Sequence, residues 1–208
     1  MATGEKTTLI QSMRERRLVT LGLADQLAQE RWREPLLPDG RTAHAMLSHL
    51  LAWDEWTTAV FELSALRALP EKLTQALRDA GAFNARAVAR YDALGRDDLL
   101  TGLQGASARL ISAATGVGGE AWAERRISDL ALDTASASGQ PPYEPGVASL
   151  LADVSGQPSR GPSVAGLLEM LREHERRHDE ELSAAFGVTV DLEKLRAQAL
   201  GESQSAQG

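Results

Sequence analysis

The amino-acid sequence predicts an all-α fold, an up-down-type bundle of four long helices with one long crossover loop before the last helix. Two observations carry this prediction. Apolar residues recur at three- and four-residue steps along most of the chain. Alternating runs of β-branched or aromatic residues, which are typical of strands, are lacking, and aromatic residues make up only 4% of the chain. The length of 208 residues suits one domain with short tails.

The first two long helices are separated by a turn that contains proline and glycine. The apolar pattern predicts a first helix over about residues 7–33, followed by the helix breakers Pro35 and Gly40. Thr42 is a typical N-cap residue, and a second helix is predicted from there to about residue 69. Residues 1–6 are expected to form a short tail.

The middle of the chain is also predicted to be helical. Leucine and aromatic residues continue at helical spacing from about residue 73 to residue 91. Asp97 or Asp98 is expected to cap a third long helix, which ends near a glycine cluster around Gly116.

The last third of the chain combines a long connection with the final helix. Residues 128–162 are rich in proline, glycine and serine and are predicted to form a long loop. The last long helix is expected from Ser163 to about Phe186, followed by a short helix near 190–200. We therefore expect a single domain over residues 7–199 and a disordered tail over 200–208.

Composition excludes several classes of site and partner. The chain has no cysteine, so any protein metal site must use histidine, aspartate or glutamate, and any reactive thiol must arrive as a small molecule. The net charge of −7 argues against nucleic acid as a partner. No run of eighteen apolar residues is present, and the N-terminus lacks the pattern of a secretory signal. We expect a cytoplasmic protein without a membrane partner.

Histidines 174 and 178 lie in the sequence His-Glu-Arg-Arg-His, which holds two of the four histidines of the chain. Residues four apart lie on the same side of a helix, so two such imidazoles can bind one transition metal ion. Both fall within an apolar stripe of the last helix. The intervening charged residues are predicted to form a solvated face: Arg172, Glu173, Glu175, Arg176, Arg177 and Asp179.

The second helix carries a similar stripe, which includes Met46, His49 and Trp53, with Trp56 close beside it. His44 lies off this stripe and is predicted to be a surface residue. Asp54 and Glu55 are expected on the solvent side or behind the site.

Three histidines are thus predicted to face the interior from two helices. A single buried histidine is usually a hydrogen-bonded core residue, and that interpretation remains open for these three. Burying several imidazoles without partners costs free energy, however, so three of them favour a shared metal ligand. The sequence therefore predicts a metal site at His49, His174 and His178.

The same five letters also match H-E-x-x-H, the zinc-peptidase signature, in which Glu175 would be the general base. No histidine follows His178, and the acidic residues after it (Glu181, Glu193 and Glu202) do not lie in a convincing second ligand helix. Glu175 also falls in the row predicted to be solvated. The peptidase interpretation is therefore disfavoured.

Three stretches of the chain resemble the DinB/YfiT-like metalloprotein superfamily, including its mycothiol-dependent maleylpyruvate isomerase-like and DfsB/ClbS-like branches. They are DGRTAHAMLSHLLAWDEW, DAGAFNARAVARYDALGRDDLLTGLQGASARL and LREHERRHDEEL. The resemblance implies a four-helix bundle in which one histidine of the second helix and two ligands of the fourth hold a divalent metal ion, often nickel, zinc or iron. His49, His174 and His178 occupy the matching positions.

The resemblance implies a metal-dependent enzyme that acts on a small electrophilic substrate, as a thiol-dependent transferase or isomerase or as a hydrolase. A low-molecular-weight thiol would be the cosubstrate, and Trp53 and Trp56 are candidates for lining the pocket. Related bundles often form homodimers, so the resemblance is compatible with a homodimer. Residues 128–162 are longer than a simple crossover, and no separate C-terminal domain is predicted. The alternative is a non-catalytic binding or self-protection protein that needs no metal.

Overall fold

The structure is a computed structural model that describes residues 3–62, 71–123 and 163–197. Its secondary structure within these residues is helical, with no strand, which confirms the predicted all-α class for them. A 3₁₀ turn at Gln29–Arg31 and a helical segment over 192–197 accompany seven α-helices in the described ranges. The helices are α1 (Thr3–Asp25), α2 (Ala43–Glu62), α3 (Glu71–Arg78), α4 (Ala80–Tyr91), α5 (Arg96–Gly116), α6 (Gly119–Ala123) and α7 (Val164–Phe186).

The four long helices form two extensive pairs. Helix α2 packs along α5, and α1 packs along α7, while α1 also contacts α5. Helices α2 and α7 touch over a shorter stretch, and α4 lies against α2. Two groups of buried apolar side chains fill the interior, one around Trp56 and Leu168 and the other around Met46 and Leu103. Burial of these side chains is the main force that holds the helices together.

Helix α1 ends earlier than the sequence predicts, at Asp25 instead of near residue 33. Leu27 and Trp32 continue the apolar pattern past this end, and both are buried against α2 and α5 from the connecting segment. The backbone N–H of His44 donates to the carbonyl of Trp32, which holds this segment against the start of α2. The apolar pattern continues past the end of the helix because side chains of the connecting segment also fill the core. The pattern therefore predicted a helix that is too long.

The predicted cap at Thr42 is confirmed, the predicted cap at Asp97 or Asp98 is wrong, and Ser163 caps the last helix, for which no cap was predicted. The Thr42 hydroxyl accepts from the Ala45 N–H at 3.0 Å, and the Ser163 hydroxyl accepts from the Gly166 N–H at 3.1 Å. Helix α5 instead begins at Arg96 after Gly95, which places Asp97 and Asp98 in its first turn. There, carboxylates favour a helix start through the helix dipole without capping it.

The remaining helix boundaries follow from the capping preferences of single residues. Asp79 divides the predicted helical stretch after α2 into two helices and caps α4, accepting from the Ala82 N–H at 2.8 Å. Gly187 ends α7 with a φ of +67°, a conformation that favours glycine. The predicted loop over 128–162 and the end of the second helix near residue 69 lie outside the described residues, as does the tail over 200–208.

A search of the described helices for one that combines enough length with enough apolar character to cross a bilayer finds none.

Candidate metal centre

The three histidines predicted to face the interior come together at the place where α2 meets α7. The Nε2 atom of His174 lies 2.9 Å from that of His49 and 3.0 Å from that of His178. The imidazole rings meet edge to face, with centroids 4.5–5.2 Å apart. His174 and His178 reach the cluster from successive turns of α7, as their four-residue spacing predicts.

The spacing of these nitrogen atoms suits a shared metal ion. Two imidazole nitrogens bound to one ion at about 2.0–2.1 Å lie roughly 2.8–3.4 Å apart for bond angles of about 90–110°. The separations of 2.9 and 3.0 Å that His174 makes fall within this interval. The donor set contains only imidazole nitrogens, which suits zinc, nickel, iron or copper better than calcium or magnesium.

Burial lowers the pKa of two imidazoles of this cluster, those of His49 and His174. It lowers the pKa of His49 to about 3, with the neighbouring His178 adding to the effect. Burial, together with His49 and His178, also places the pKa of His174 well below its usual range. A neutral imidazole has one ring nitrogen with a free lone pair, which is the form that binds a metal. Near neutral pH, His49 and His174 are therefore ready to act as ligands.

A carboxylate orients His178. The Nδ1 atom of His178 donates to Glu181 Oε2 at 2.9 Å, and Arg41 Nη2 donates to the same oxygen at 3.0 Å. The hydrogen bond to His178 is the main cause that lowers the pKa of Glu181. Placing the ring proton on Nδ1 leaves the lone pair on Nε2, the atom that faces the other two histidines.

His49 is supported by a tryptophan and an amide. Its ring packs edge-on against Trp53, with centroids 6.3 Å apart. Trp53 Nε1 donates to Asn84 Oδ1 at 3.0 Å, and Asn84 also hydrogen-bonds to His49. Asn84 belongs to α4, so a helix outside the two ligand-bearing ones helps to orient the ligand. Apolar spacing did not single out this asparagine, although it lies in one of the three stretches that carry the resemblance.

The two tryptophans that were candidates for lining a pocket pack edge to face, with ring centroids 5.3 Å apart, but have different further neighbours. Trp53 is buried beside His49, whereas Trp56 donates from Nε1 to the carbonyl of Leu73 at 2.9 Å. Trp56 lines a surface groove together with Phe83 and Arg86, and Trp53 is not among the residues that line it.

The three histidines differ in exposure. His49 and His178 are buried, whereas His174 is partly exposed. Three protein ligands would leave a coordination position of a bound metal available for a small molecule.

A second buried cluster lies on the neighbouring face of α7. Arg17 Nη2 contacts Asp54 Oδ2 at 2.8 Å, and Arg17 Nε contacts Glu175 Oε1 at 2.9 Å. Thr20 Oγ1 lies 2.5 Å from Glu175 and 2.7 Å from Asp179. These residues are all buried, so the prediction that Glu175 and Asp179 are solvated is wrong. Of the two positions expected for Asp54, the solvent side is excluded. Helix α1 covers this side of α7, and its polar side chains accommodate the acids.

Two acids of this cluster have raised pKa values. A threonine hydroxyl has one proton, so Thr20 can donate to only one of the two carboxylates that it contacts. Burial raises the pKa of Asp54 to about 7 and, helped by the charge of Glu175, raises the pKa of Asp179 to about 7 as well.

The position of Glu175 also bears on the peptidase interpretation. Its carboxylate contacts Arg17 and Thr20 on α1. A general base must instead reach water bound beside the two histidines. The H-E-x-x-H letters of this chain therefore describe a pair of histidines and a buried ion-pairing acid.

His44 is buried, with 1% of its surface exposed, so its prediction as a surface residue is wrong. Its ring packs edge-on against Trp32 at 6.5 Å, and its Nε2 lies 3.2 Å from the carbonyl oxygen of Leu94. Both partners come from connecting segments that cover the first turn of α2. Helical periodicity does not reveal such coverage.

Arg17 and Thr20 were not predicted, although the sequence carries a signal for them. They fall between Met13 and Ala24 in the buried stripe of α1, at steps of four and three residues. A charged residue inside an apolar stripe indicates a buried partner.

Comparisons of the chain with protein-family models, curated proteins and solved structures found no match.

Proposed function

We propose that this protein binds one divalent transition metal ion through His49, His174 and His178 and acts as a metal-dependent enzyme on small electrophilic molecules. The observation that carries the proposal is the meeting of three Nε2 atoms, two pairs of which are 2.9 and 3.0 Å apart. Core histidines that are merely satisfied normally point their ring nitrogens at carbonyls or hydroxyls. His44 does so here, through the carbonyl oxygen of Leu94.

The proposal includes a DinB-like four-helix bundle. Its support is the resemblance of three sequence stretches and the order of the ligands along the chain, one on the second long helix and two on the last. The packing of α1 on α7 and of α2 on α5 is compatible with this arrangement.

The residues around the cluster have distinct tasks under this proposal. Glu181 holds the Nδ1 proton of His178, and Asn84 fixes His49. The partly exposed edge of His174 leaves room for substrate. A bound metal ion of this kind makes a thiol or water molecule a better nucleophile at neutral pH. Because the chain has no cysteine, a thiol would have to be a separate small molecule.

Elemental analysis tests metal binding. Untagged protein purified without chelator should contain about one zinc, nickel or iron atom per chain, and a folded His174→Ala variant should contain little. His44→Ala is the matched control, since His44 is buried outside the cluster, and it should keep the metal. Absence of metal from the parent, even after metal is added back, would contradict the site.

Activity distinguishes the enzyme from a binding protein. Parent protein would be screened with a panel of electrophiles, each with and without small thiols. Loss of turnover in folded His49→Ala and His178→Ala supports metal-dependent catalysis. Tight binding of an electrophile without turnover, retained in both variants, would favour a binding or self-protection protein independent of metal.

A further inference from the structure

We propose that Arg17 is a positioning residue that holds the two ligand-bearing helices in the register at which their histidines can share one metal ion. Arg17 lies on α1 and touches none of the three imidazoles in the contacts described above. Its guanidinium instead joins Asp54 of α2 to Glu175 of α7. The inference rests on the proposed metal site and names what sets its geometry.

The two helix pairs are linked by the contact of α1 with α5 and by the shorter direct contact of α2 with α7. His49 belongs to α2, whose main partner is α5, whereas His174 and His178 belong to α7, whose main partner is α1. The direct contact between α2 and α7 is short. A slide of one pair against the other would therefore change the distance from His49 to the other two histidines. A link between the pairs close to the cluster opposes such a slide.

Helix geometry places the link at the height of the cluster. Glu175 follows His174 directly, and Asp179 follows His178, so the acids form a second row on α7 about 100° around the helix from the histidines. Each acid lies one residue, or about 1.5 Å along the helix axis, beyond the histidine that it follows. Any shift of α7 that moves the histidines moves the acids by the same amount, and the contacts of the acids with α1 resist it.

The contacts of Arg17 are short and buried. Its Nη2 lies 2.8 Å from Asp54, and its Nε lies 2.9 Å from Glu175; Nη2 also donates to Glu175 Oε2 at 3.3 Å. Arg17, Asp54 and Glu175 are each less than 5% exposed, so water does not screen these ion pairs. A guanidinium spreads its charge over three nitrogens and can face two carboxylates at once, whereas a lysine ammonium is a single point charge. Thr20, one turn further along α1, adds contacts to Glu175 and Asp179.

Titration of the metal-free full-length chain with Co²⁺ tests the inference. The visible absorption of bound Co²⁺ reports its coordination geometry, and the titration gives the dissociation constant. Arg17→Lys keeps the charge but carries it on one nitrogen, so it cannot face Asp54 and Glu175 from two nitrogens as the guanidinium does. We expect it to bind Co²⁺ about tenfold more weakly, with an altered absorption spectrum, as is usual when the support of a metal ligand is changed. Asp54→Asn should shift the spectrum in the same way.

Arg96→Lys is the matched control. Arg96 Nη2 donates to the carboxylate and the backbone carbonyl of Asp25, so it ties α5 to the end of α1 and contacts neither ligand-bearing helix in these bonds. This variant loses a similar inter-helix bond, yet it should keep the Co²⁺ affinity and spectrum of the parent. Parent-like binding in both Arg17→Lys and Asp54→Asn would overturn the inference, as would an equal change in Arg96→Lys.

The histidine ring signals in nuclear magnetic resonance spectra of the metal-free protein separate this inference from the proposed function. Arg17→Lys should shift the ring signals of His49 and His174, whereas Arg96→Lys should leave them in place. Failure of the parent to bind Co²⁺ would contradict the proposed function alone. Ring signals that do not respond to Arg17→Lys would contradict the role of Arg17, whether or not the parent binds the metal.

Discussion

The two buried polar clusters of α7 lie one residue apart in sequence and differ in how their charges are compensated. The acidic cluster contains its cation as a side chain, Arg17, and its acids are closed off from solvent. The histidine cluster brings together three ring nitrogens, with the pKa values of His49 and His174 lowered, and is partly exposed through His174. One cluster contains its own cation, and the other is suited to an added cation.

This difference shows how one helix serves structure and chemistry at once. A helix presents residues one apart to different neighbours, so His174 faces α2 while Glu175 faces α1. A polar group buried with all its partners supports the fold, whereas ring nitrogens that face one another are available for a ligand. We therefore expect stability to depend chiefly on the acidic cluster and metal binding chiefly on the histidine cluster.

The largest effect on stability is expected for Arg17→Met in the metal-free protein. Removing the cation leaves buried acids without their partner, and such losses amount to about 3–5 kcal/mol of the free energy of unfolding. His174→Ala should cost only about 1 kcal/mol, since it removes hydrogen bonds between neutral groups. Urea unfolding of both metal-free variants measures the difference. Equal losses would contradict the division of roles between the clusters.

Metal ions should stabilise the parent through the histidine cluster. A ligand that binds only the folded state raises the free energy of unfolding by about 2.7 kcal/mol at one hundred times its dissociation constant. Thermal unfolding with and without added zinc, nickel or cobalt measures this shift. The shift should vanish in His178→Ala and persist in Arg96→Lys, which alters a bond between α5 and α1 outside both clusters. A shift that survives in His178→Ala would indicate metal binding elsewhere.

The sequence predicted the histidine cluster well because its residues obey a simple rule. His174 and His178 lie in an apolar stripe, as does His49 on the second helix. Imidazoles that face the interior from two neighbouring helices come into contact in the core, as these three do. The cap at Thr42 and the end of α7 near Phe186 also follow local residue preferences. These features depend on spacing within single helices.

The acidic cluster was predicted wrongly because its burial depends on a partner helix. Glu175 and Asp179 fall off the apolar stripe of α7, and periodicity alone assigns such positions to solvent. They are buried because α1 presents Arg17 and Thr20 to them. His44 was misplaced for a related reason, since connecting segments cover it. Which surface of a helix is covered by a second element is a property of tertiary packing.

A smaller effect concerns the pH dependence contributed by Asp54. Burial raises its pKa to about 7 against the opposing charge of Arg17, while Glu175 and the neighbouring Glu55 add to the rise. Between the unfolded pKa of about 3.9 and a folded value near 7, the folded protein binds more protons, so stability falls as pH rises.

Comparison of the parent with Asp54→Asn isolates this contribution. The difference in free energy of unfolding between them should change in that window by at most about 1.4 kcal/mol per pH unit, with the parent losing stability toward pH 7. Urea unfolding at half-unit steps from pH 4 to pH 8 measures it. A parallel pair of profiles would show that Asp54 is ionised throughout the window.

The smallest effect on stability, below about 1 kcal/mol, is expected for Glu181→Gln, which tests the support of the histidine cluster. Glu181 is about one-third exposed, so its bonds to His178 and Arg41 compete with water. Metal affinity should nevertheless fall about tenfold, because the amide no longer holds the Nδ1 proton of His178 as strongly and Nε2 becomes a weaker ligand. Isothermal titration with zinc and urea unfolding separate the two quantities. Unchanged affinity would show that His178 needs no carboxylate to present its Nε2 atom, and a large loss of stability would place Glu181 among the structural residues instead.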